Sequence, residues 1–243
     1  MRIIVVLTAV TLAACAAPRS QELADRPPGL AVARAALAGD APALALQVCS
    51  DTVRREPDNM EAQVCEGDAL LALGRPAEAE ASFARALQLL PDATDALMGM
   101  GRVRLGTEAV AAESLFRRVL DQEPRNASAW NDLGIALDLQ DRHEQAQEAY
   151  GRALGAAPDM RAAEVNLALS LAMSGHADAA LSRLRAIAGD PQAPPRLRHD
   201  LAAVLTMAGQ PEEAARLLRR ELRPDEIDQA IAGYRALPAT PAR

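Results

Sequence analysis

Three histidines and one glycine-rich stretch are the first places to look for chemistry in this chain of 243 residues. His143, His176 and His199 lack the i, i+4 spacing that places two metal ligands on one helix face, and we expect them to face solvent. Residues 99–101 (Gly-Met-Gly) follow no strand, and the chain contains no lysine for a phosphate-binding loop. We therefore predict no catalytic residues, no metal site and no cofactor, and the chain is not expected to be an enzyme.

The overall charge of the chain argues against a general nucleic-acid partner. There are 33 acidic residues against 26 basic ones, which gives a formal net charge of −7. One basic cluster stands out near the C-terminus, with arginines at helical spacing: Arg216, Arg219, Arg220 and Arg223. This basic end is either a solvated outer face or a docking surface for an acidic partner or lipid headgroups.

The elements that must position these residues are indicated by a repeat. Six prolines follow one another at intervals of 33 or 34 residues: Pro57, Pro91, Pro124, Pro158, Pro191 and Pro224. Aromatic residues make up only 2% of the chain, and no segment alternates with the period of a strand. A stack of small helical units with a continuous core is therefore predicted, and such stacks usually bind proteins.

Residues 127–160 contain the clearest copy of the unit. A first helix presents a row of large and small apolar residues, a polar turn follows, and a second helix presents a second row before Pro158: Trp130, Leu133, Gly134 and Leu137, then Ala146, Tyr150 and Ala153. This pattern closely resembles the tetratricopeptide repeat. The resemblance implies an all-α, right-handed solenoid of about six helix-turn-helix repeats with a C-terminal capping helix.

The same unit fits the flanking sequence and suggests how the chain is divided. In the third copy the turn at residues 105–107 must be one residue short. The first copy matches the pattern poorly, and there Cys49 occupies the position of the large aromatic residue. The expected organisation runs in five parts: a signal peptide over 1–14, a lipidated tether over 15–29, the solenoid over 30–226, the capping helix over 227–237 and a tail over 238–243.

The first fifteen residues resemble the signal of a bacterial lipoprotein. The apolar run over residues 3–14 is too short to span a bilayer, and it ends in Leu-Ala-Ala followed by Cys15. The resemblance implies cleavage before Cys15, three acyl chains on that residue and attachment to the membrane through them. Ala16 is not an aspartate, which favours the outer membrane, with the chain facing the periplasm. The alternative is an ordinary cleaved signal beside an incidental cysteine.

The two remaining cysteines form an even pair in an oxidising compartment. Within the repeats, Cys49 lies on a second helix and Cys65 on the next first helix, about equally far from the turn at residues 57–59. Antiparallel helices place such positions opposite each other. A disulfide is therefore expected, against the alternative of two unpaired core thiols.

In the tetratricopeptide family the first helices line a concave groove that binds partners. Carried over by repeat position, the groove lining here would be Met98, Arg102, Asn131, Ile135, Asp138, Leu139, Val165, Asn166, Leu169, Met173, His199 and Met207. Too few of these are polar for a carboxylate clamp, and the mostly apolar set suits an amphipathic helix or extended peptide. Alternatively, several of them contact the adjacent repeat as core.

The overall character of the chain resembles lipoproteins that help to assemble pilus secretins, with the TadD type of the Tad (Flp) pilus first and the type IV pilus pilotin next. The resemblance implies binding of a secretin or another pilus component in the periplasm. Two alternatives stay open: an adaptor for cell-wall enzymes or outer-membrane assembly machinery, and a regulator or processing enzyme that uses the repeats to capture its substrate. The fold alone does not decide between them.

Overall fold

A computed structural model of the chain describes residues 29–188 and 195–236. In these residues thirteen α-helices follow one another without a strand, which confirms the all-α fold. They are α1 Leu30–Ala38, α2 Pro42–Arg55, α3 Met60–Ala72, α4 Pro76–Leu89, α5 Thr94–Leu105, α6 Ala109–Gln122, α7 Ala127–Asp138, α8 His143–Ala156, α9 Arg161–Met173, α10 Ala177–Ala188, α11 Pro195–Met207, α12 Pro211–Leu218 and α13 Pro224–Arg235. The signal peptide, Cys15, nearly all of the expected tether and the tail lie outside the described residues.

The first twelve helices form six pairs, and each pair is one repeat of a first helix and a second helix. Helix starts follow the local sequence: Pro42, Pro76 and Pro211 each occupy the first turn of a second helix, where a missing N–H costs nothing. Asn59 and Asn126 cap two first helices by accepting backbone N–H groups at 3.0 and 2.9 Å. No helix in the described residues is both long and apolar enough to cross a membrane.

The turn inside most repeats is closed by one residue in the left-handed conformation. Its positions are Asp40 (φ 56°), Gly74 (φ 69°), Asp141 (φ 57°), Gly175 (φ 85°) and Gly209 (φ 74°). Only the third repeat of the described chain lacks such a residue, and its turn holds Gly106 at φ −75° instead. This is the turn that the sequence predicted to be one residue short.

Close approach of the helices depends on an aromatic ring seated on glycine. Phe83 of α4 is fully buried, and a Cβ atom added to Gly67 of α3 would lie 2.6 Å from its ring. Gly99 of the next repeat touches the same ring, so Phe83 ties two repeats together. The equivalent position is buried in every repeat, from Cys49 through Phe83, Phe116 and Tyr150 to Leu184 and Leu218. The core is therefore continuous from one repeat to the next.

The last helix closes the open end of the stack. α13 begins at Pro224, three residues before the predicted start at residue 227. Ile227 and Ile231 are buried in the same apolar cluster as residues of α11 and α12. The side chain of Arg223 is not a free cation, because it pairs with Glu226 at 3.1 Å. The backbone N–H of Arg223 donates to the same carboxylate.

Candidate functional site

The first helices of successive repeats present equivalent residues on one face, which we call the groove. Arg102, Ile135 and Leu169 occupy the same repeat position on α5, α7 and α9, as do Met98 and Val165. Two cavities lie along this face, of about 480 and 430 Å³. They are lined almost entirely by first helices and differ in chemistry.

The cavity of 430 Å³, the apolar half of the groove, lies between α7, α9 and α11. Its floor is formed by Ile135, Val165 and Leu169, all of them partly exposed. Charged residues stand at its edge, with Arg196 and Asp200 on α11. Burial raises the pKa of Asp200, while Arg196 and His199 act in the opposite direction.

The cavity of 480 Å³, the charged half of the groove, lies between α1, α3 and α5. Arg34 pairs with Glu61 at 2.7 Å between two exposed side chains. Asp68 and Asp95 also line this half, and neither has an ion pair with another described residue. Burial raises the pKa of Asp68 to about 6, with Asp95 adding to the effect and Arg102 opposing it.

A row of polar side chains, the polar ladder, connects the two halves across α5, α7 and α9. Arg102 donates to Asp132 at 2.7 Å, Asn131 donates to the other oxygen of Asp132 at 3.1 Å, and Asn166 donates to Asn131 at 2.9 Å. Asn131 and Asp132 are buried. These contacts join three repeats and fix the direction of the side chains under the groove.

Asp138 does not line the groove, contrary to the sequence prediction. Its carboxylate accepts hydrogen bonds from Tyr150 at 2.9 Å and Ser170 at 2.7 Å, and it lies 2.8 Å from Nδ1 of His143. Tyr150 and Ser170 are almost completely buried, and the Tyr150 pKa is raised by burial and by the Asp138 charge. We call this set the Asp138 cluster. It joins both helices of the fourth repeat to the first helix of the fifth.

His143 also corrects the sequence prediction, because it is 5% exposed rather than solvent-facing. It opens α8 directly after the turn and points at Asp138 five residues earlier. His176 is exposed and lies 3.1 Å from Ser174. His199 is partly buried between Tyr234 of the capping helix at 3.1 Å and Glu221 at 3.4 Å.

The other predicted groove residues divide between the groove and its surroundings. Met98, Arg102, Asn131, Ile135, Val165, Asn166 and Leu169 line one of its two halves. Leu139 is 57% exposed and lies at the turn edge of the solenoid, in a depression shared with Leu105 and Val110. Met207 packs on the last apolar cluster, and Met173 is the partly buried last residue of α9.

Cys49 and Cys65 are joined by a disulfide, with Cα atoms 5.8 Å apart. Both lie in the apolar cluster of the first two repeats, and Cys65 also borders the charged half of the groove. Neither is an exposed reactive thiol.

The predicted basic end lies at the junction of α12 and α13. Arg216, Arg219 and Arg220 are exposed there, and Arg223 belongs to the cap of α13. Glu221 lies between Arg220 and Arg223 in the sequence and pairs with Arg198, so this carboxylate interrupts the basic surface.

Sequence reasoning found only Met98 and Arg102 of the charged half, because it assigned the groove from the third repeat onward. Asp68 and Arg34 occupy the same repeat position as Arg102, one and two repeats earlier respectively. The repeat register therefore carried the signal, and extending it to the worn first copy would have found both residues.

Comparison with known proteins identifies the repeat. Residues 60–93 and 95–160 match models of the tetratricopeptide repeat. The uncharacterized protein y4yS of Sinorhizobium fredii (strain NBRC 101917 / NGR234) is 30% identical over 128 residues, which cover 53% of this chain and 52% of y4yS. The chain thus spans about half the length of the curated relative it matches.

Two solved structures show the same fold. PilW, a widely conserved type IV pilus biogenesis factor, superposes with a TM-score of 0.72 at 18% identity, over 84% of this chain and 96% of PilW. YrrB, a tetratricopeptide-repeat protein with an unusual peptide-binding site, gives a TM-score of 0.54 at 19% identity, over 79% of this chain and all of YrrB (100%). The chain is therefore an all-α tetratricopeptide-repeat solenoid, an architecture that mediates protein–protein interaction through extended concave surfaces.

Proposed function

We propose that this chain is a lipid-anchored scaffold that binds a protein partner in its groove during pilus biogenesis, with the Tad (Flp) pilus and its secretin as the first choice. The observation that carries the proposal is the apolar half of the groove. Ile135, Val165 and Leu169 remain partly exposed in a cavity of about 430 Å³, although each also packs against the buried core. Such a surface is typical of a site that receives apolar side chains of a partner.

Three further observations support the setting. The fold resembles that of PilW, a pilus biogenesis factor. The sequence preceding Cys15 resembles a lipoprotein signal. The Cys49–Cys65 disulfide fits an oxidising compartment such as the periplasm, because disulfides are rare in the cytosol. Together they favour an outer-membrane lipoprotein that faces the periplasm.

The groove is tested by placing a charge on its floor. The double variant Ile135→Asp and Leu169→Asp should abolish crosslinking of the full-length chain to the secretin and reduce secretin multimers in the native host. Val110→Asp is the matched control, because Val110 is 69% exposed on a second helix outside the groove. Normal multimers and pili in the groove variant, with the chain folded by circular dichroism, would rule the proposal out.

The anchor needs a separate test. Cys15→Ala should prevent metabolic labelling of the chain with a radioactive fatty acid and move it from the membrane fraction to the soluble periplasm. Unchanged fractionation and labelling would show that Cys15 is not acylated. If the same crosslinking captures cell-wall enzymes instead of the secretin, the adaptor function replaces the pilus function.

A further inference from the structure

The two halves of the groove differ in charge as well as polarity, and this difference restricts the partner. In the charged half, Arg34 is paired with Glu61, and Arg102 is paired with the buried Asp132. Both arginines that line this half are thus engaged within the protein. Asp68 and Asp95 remain without an ion pair to a described residue. Three carboxylates line this half against two arginines, so it presents net negative charge.

The polar ladder between the halves still has bonding capacity. Asn166 uses its amide nitrogen to donate to Asn131, while its carbonyl oxygen accepts no hydrogen bond from another described residue. An extended peptide has unpaired backbone N–H groups that such an oxygen can accept. A helical peptide satisfies these groups internally. The ladder therefore favours an extended occupant.

The spacing of the helices sets the length of that occupant. Packed helix axes lie about 8–10 Å apart, so α3 and α9 are separated by about 25–30 Å along the row of first helices. An extended peptide covers about 3.3 Å per residue, and about eight residues span that distance. The nearer pair, α5 and α7, is separated by about three residues of extended chain.

We propose that the groove binds an extended segment of the partner protein in which one or two basic side chains lie about three to eight residues from two large apolar side chains. The basic side chains contact Asp68 and Asp95, and the apolar side chains occupy the cavity floored by Ile135, Val165 and Leu169. This inference rests on the proposed function, since it specifies the partner for the same groove.

The test uses fluorescein-labelled synthetic dodecapeptides and fluorescence anisotropy with the intact chain. One pair of peptides carries two arginines and two leucines six residues apart, in the two possible orders along the peptide. A second pair carries glutamates in place of the arginines. One order of the arginine peptide should bind, and the glutamate version should bind at least about tenfold more weakly, with an effect that shrinks at high salt.

Variants assign the contacts to each half. Asp68→Asn with Asp95→Asn should weaken the arginine peptide about tenfold and leave the glutamate peptide no weaker. The matched control is Asp121→Asn with Glu148→Gln, which removes the same charge from exposed positions on second helices. Leu169→Asp should abolish binding of either peptide.

The outcomes separate this inference from the proposed function. Failure of both arginine peptides to bind, equal binding of the glutamate peptides, or unchanged affinity in the Asp68 and Asp95 variant would overturn it. If that variant still crosslinks to the secretin while the Ile135 and Leu169 variant does not, the groove function stands and only the basic requirement is wrong. If both variants crosslink normally, the proposed function has failed as well.

Discussion

The Asp138 cluster allows the sharpest separation of a structural role from a binding role. Replacing Asp138 with alanine removes the acceptor for Tyr150 at 2.9 Å and for Ser170 at 2.7 Å, and the partner of His143 at 2.8 Å. Tyr150 is 1% exposed and Ser170 is 0% exposed, so both hydroxyls depend on acceptors within the protein. The substitution therefore leaves the buried Tyr150 hydroxyl without its acceptor and leaves Ser170 only the longer contact to the carbonyl oxygen of His143 at 3.4 Å.

The size of the effect follows from those contacts. Hydrogen bonds to a charged group contribute about 1.5–3 kcal/mol each, and the three do not add fully because they share one carboxylate. We expect a loss of about 3–5 kcal/mol in the free energy of unfolding. For a chain of this length that lowers the melting temperature by about 10 °C, at about 2–4 °C per kcal/mol.

Urea unfolding followed by circular dichroism measures the loss, and hydrogen exchange should place it in α7, α8 and the end of α9, where Ser170 lies. Asp121→Ala is the control, because Asp121 is an exposed acidic residue on α6. In a double-mutant cycle, Tyr150→Phe should cost far less in the Asp138→Ala background than in the unchanged chain. A loss below about 1 kcal/mol, together with loss of partner binding, would refute the reasoning and restore Asp138 to the groove.

Three other perturbations follow from the packing and the charges. Gly67→Ala drives a Cβ into the ring of Phe83 and should cost about 1–3 kcal/mol by urea unfolding, whereas Gly155→Ala has open space and should gain about 0.5–1 kcal/mol. Replacing both disulfide cysteines with alanine opens a loop with a sequence separation of 16 and should cost about 3 kcal/mol relative to the oxidised unchanged chain, and the reduced unchanged chain should lose a similar amount. Asp68 has a pKa of about 6 in the folded chain, so the native state binds its proton more tightly than the unfolded state, and stability falls as pH rises from about 4 to 6. Asp68→Asn should remove that slope and raise stability at pH 7 by up to about 3 kcal/mol, and an unchanged pH profile would contradict it.

The repeat made most of the fold predictable. The alternation of Gly134 with Tyr150 indicated a close helix crossing, and the ring of Tyr150 lies directly on that glycine. The same register placed Cys49 and Cys65 on facing helices, where the disulfide lies. These predictions succeed because each depends only on which residues of neighbouring helices lie opposite one another. The repeat period fixes that alignment.

The candidate site was less predictable because it depends on rotation about each helix axis. Asp138 and Leu139 were both assigned to the groove, although adjacent residues on a helix point about 100° apart. The carboxylate of Asp138 turns toward Tyr150 and Ser170, and Leu139 lies at the turn edge. Neither direction could be deduced from the repeat alone, because Ser170 is contributed by the following repeat.

The role of a proline at a helix boundary is also difficult to deduce from the repeat alone. Pro158 follows the end of α8, and by analogy Pro224 was assigned to the end of a repeat, with the capping helix starting at Ile227. A proline stops a preceding helix and also suits the first turn of a following one. At Pro224 the second role applies, because Glu226 closes the cap on the backbone of Arg223.

The first repeat shows how the solenoid stays intact at an end where the repeat pattern is poorly matched. Phe83 fills the space between Gly67 of its own repeat and Gly99 of the next, so its ring supplies the contact between repeats. Cys49 occupies the equivalent position one repeat earlier, and Cys65 is the equivalent of Gly99. A cysteine buries much less apolar area than a phenylalanine, and the two-repeat contact would be weak if it depended on packing alone. The disulfide lies at this same contact, so a covalent bond replaces buried area where the repeat has lost its ring. The first repeat, which supplies Arg34 to the charged half of the groove, thereby stays attached to the second.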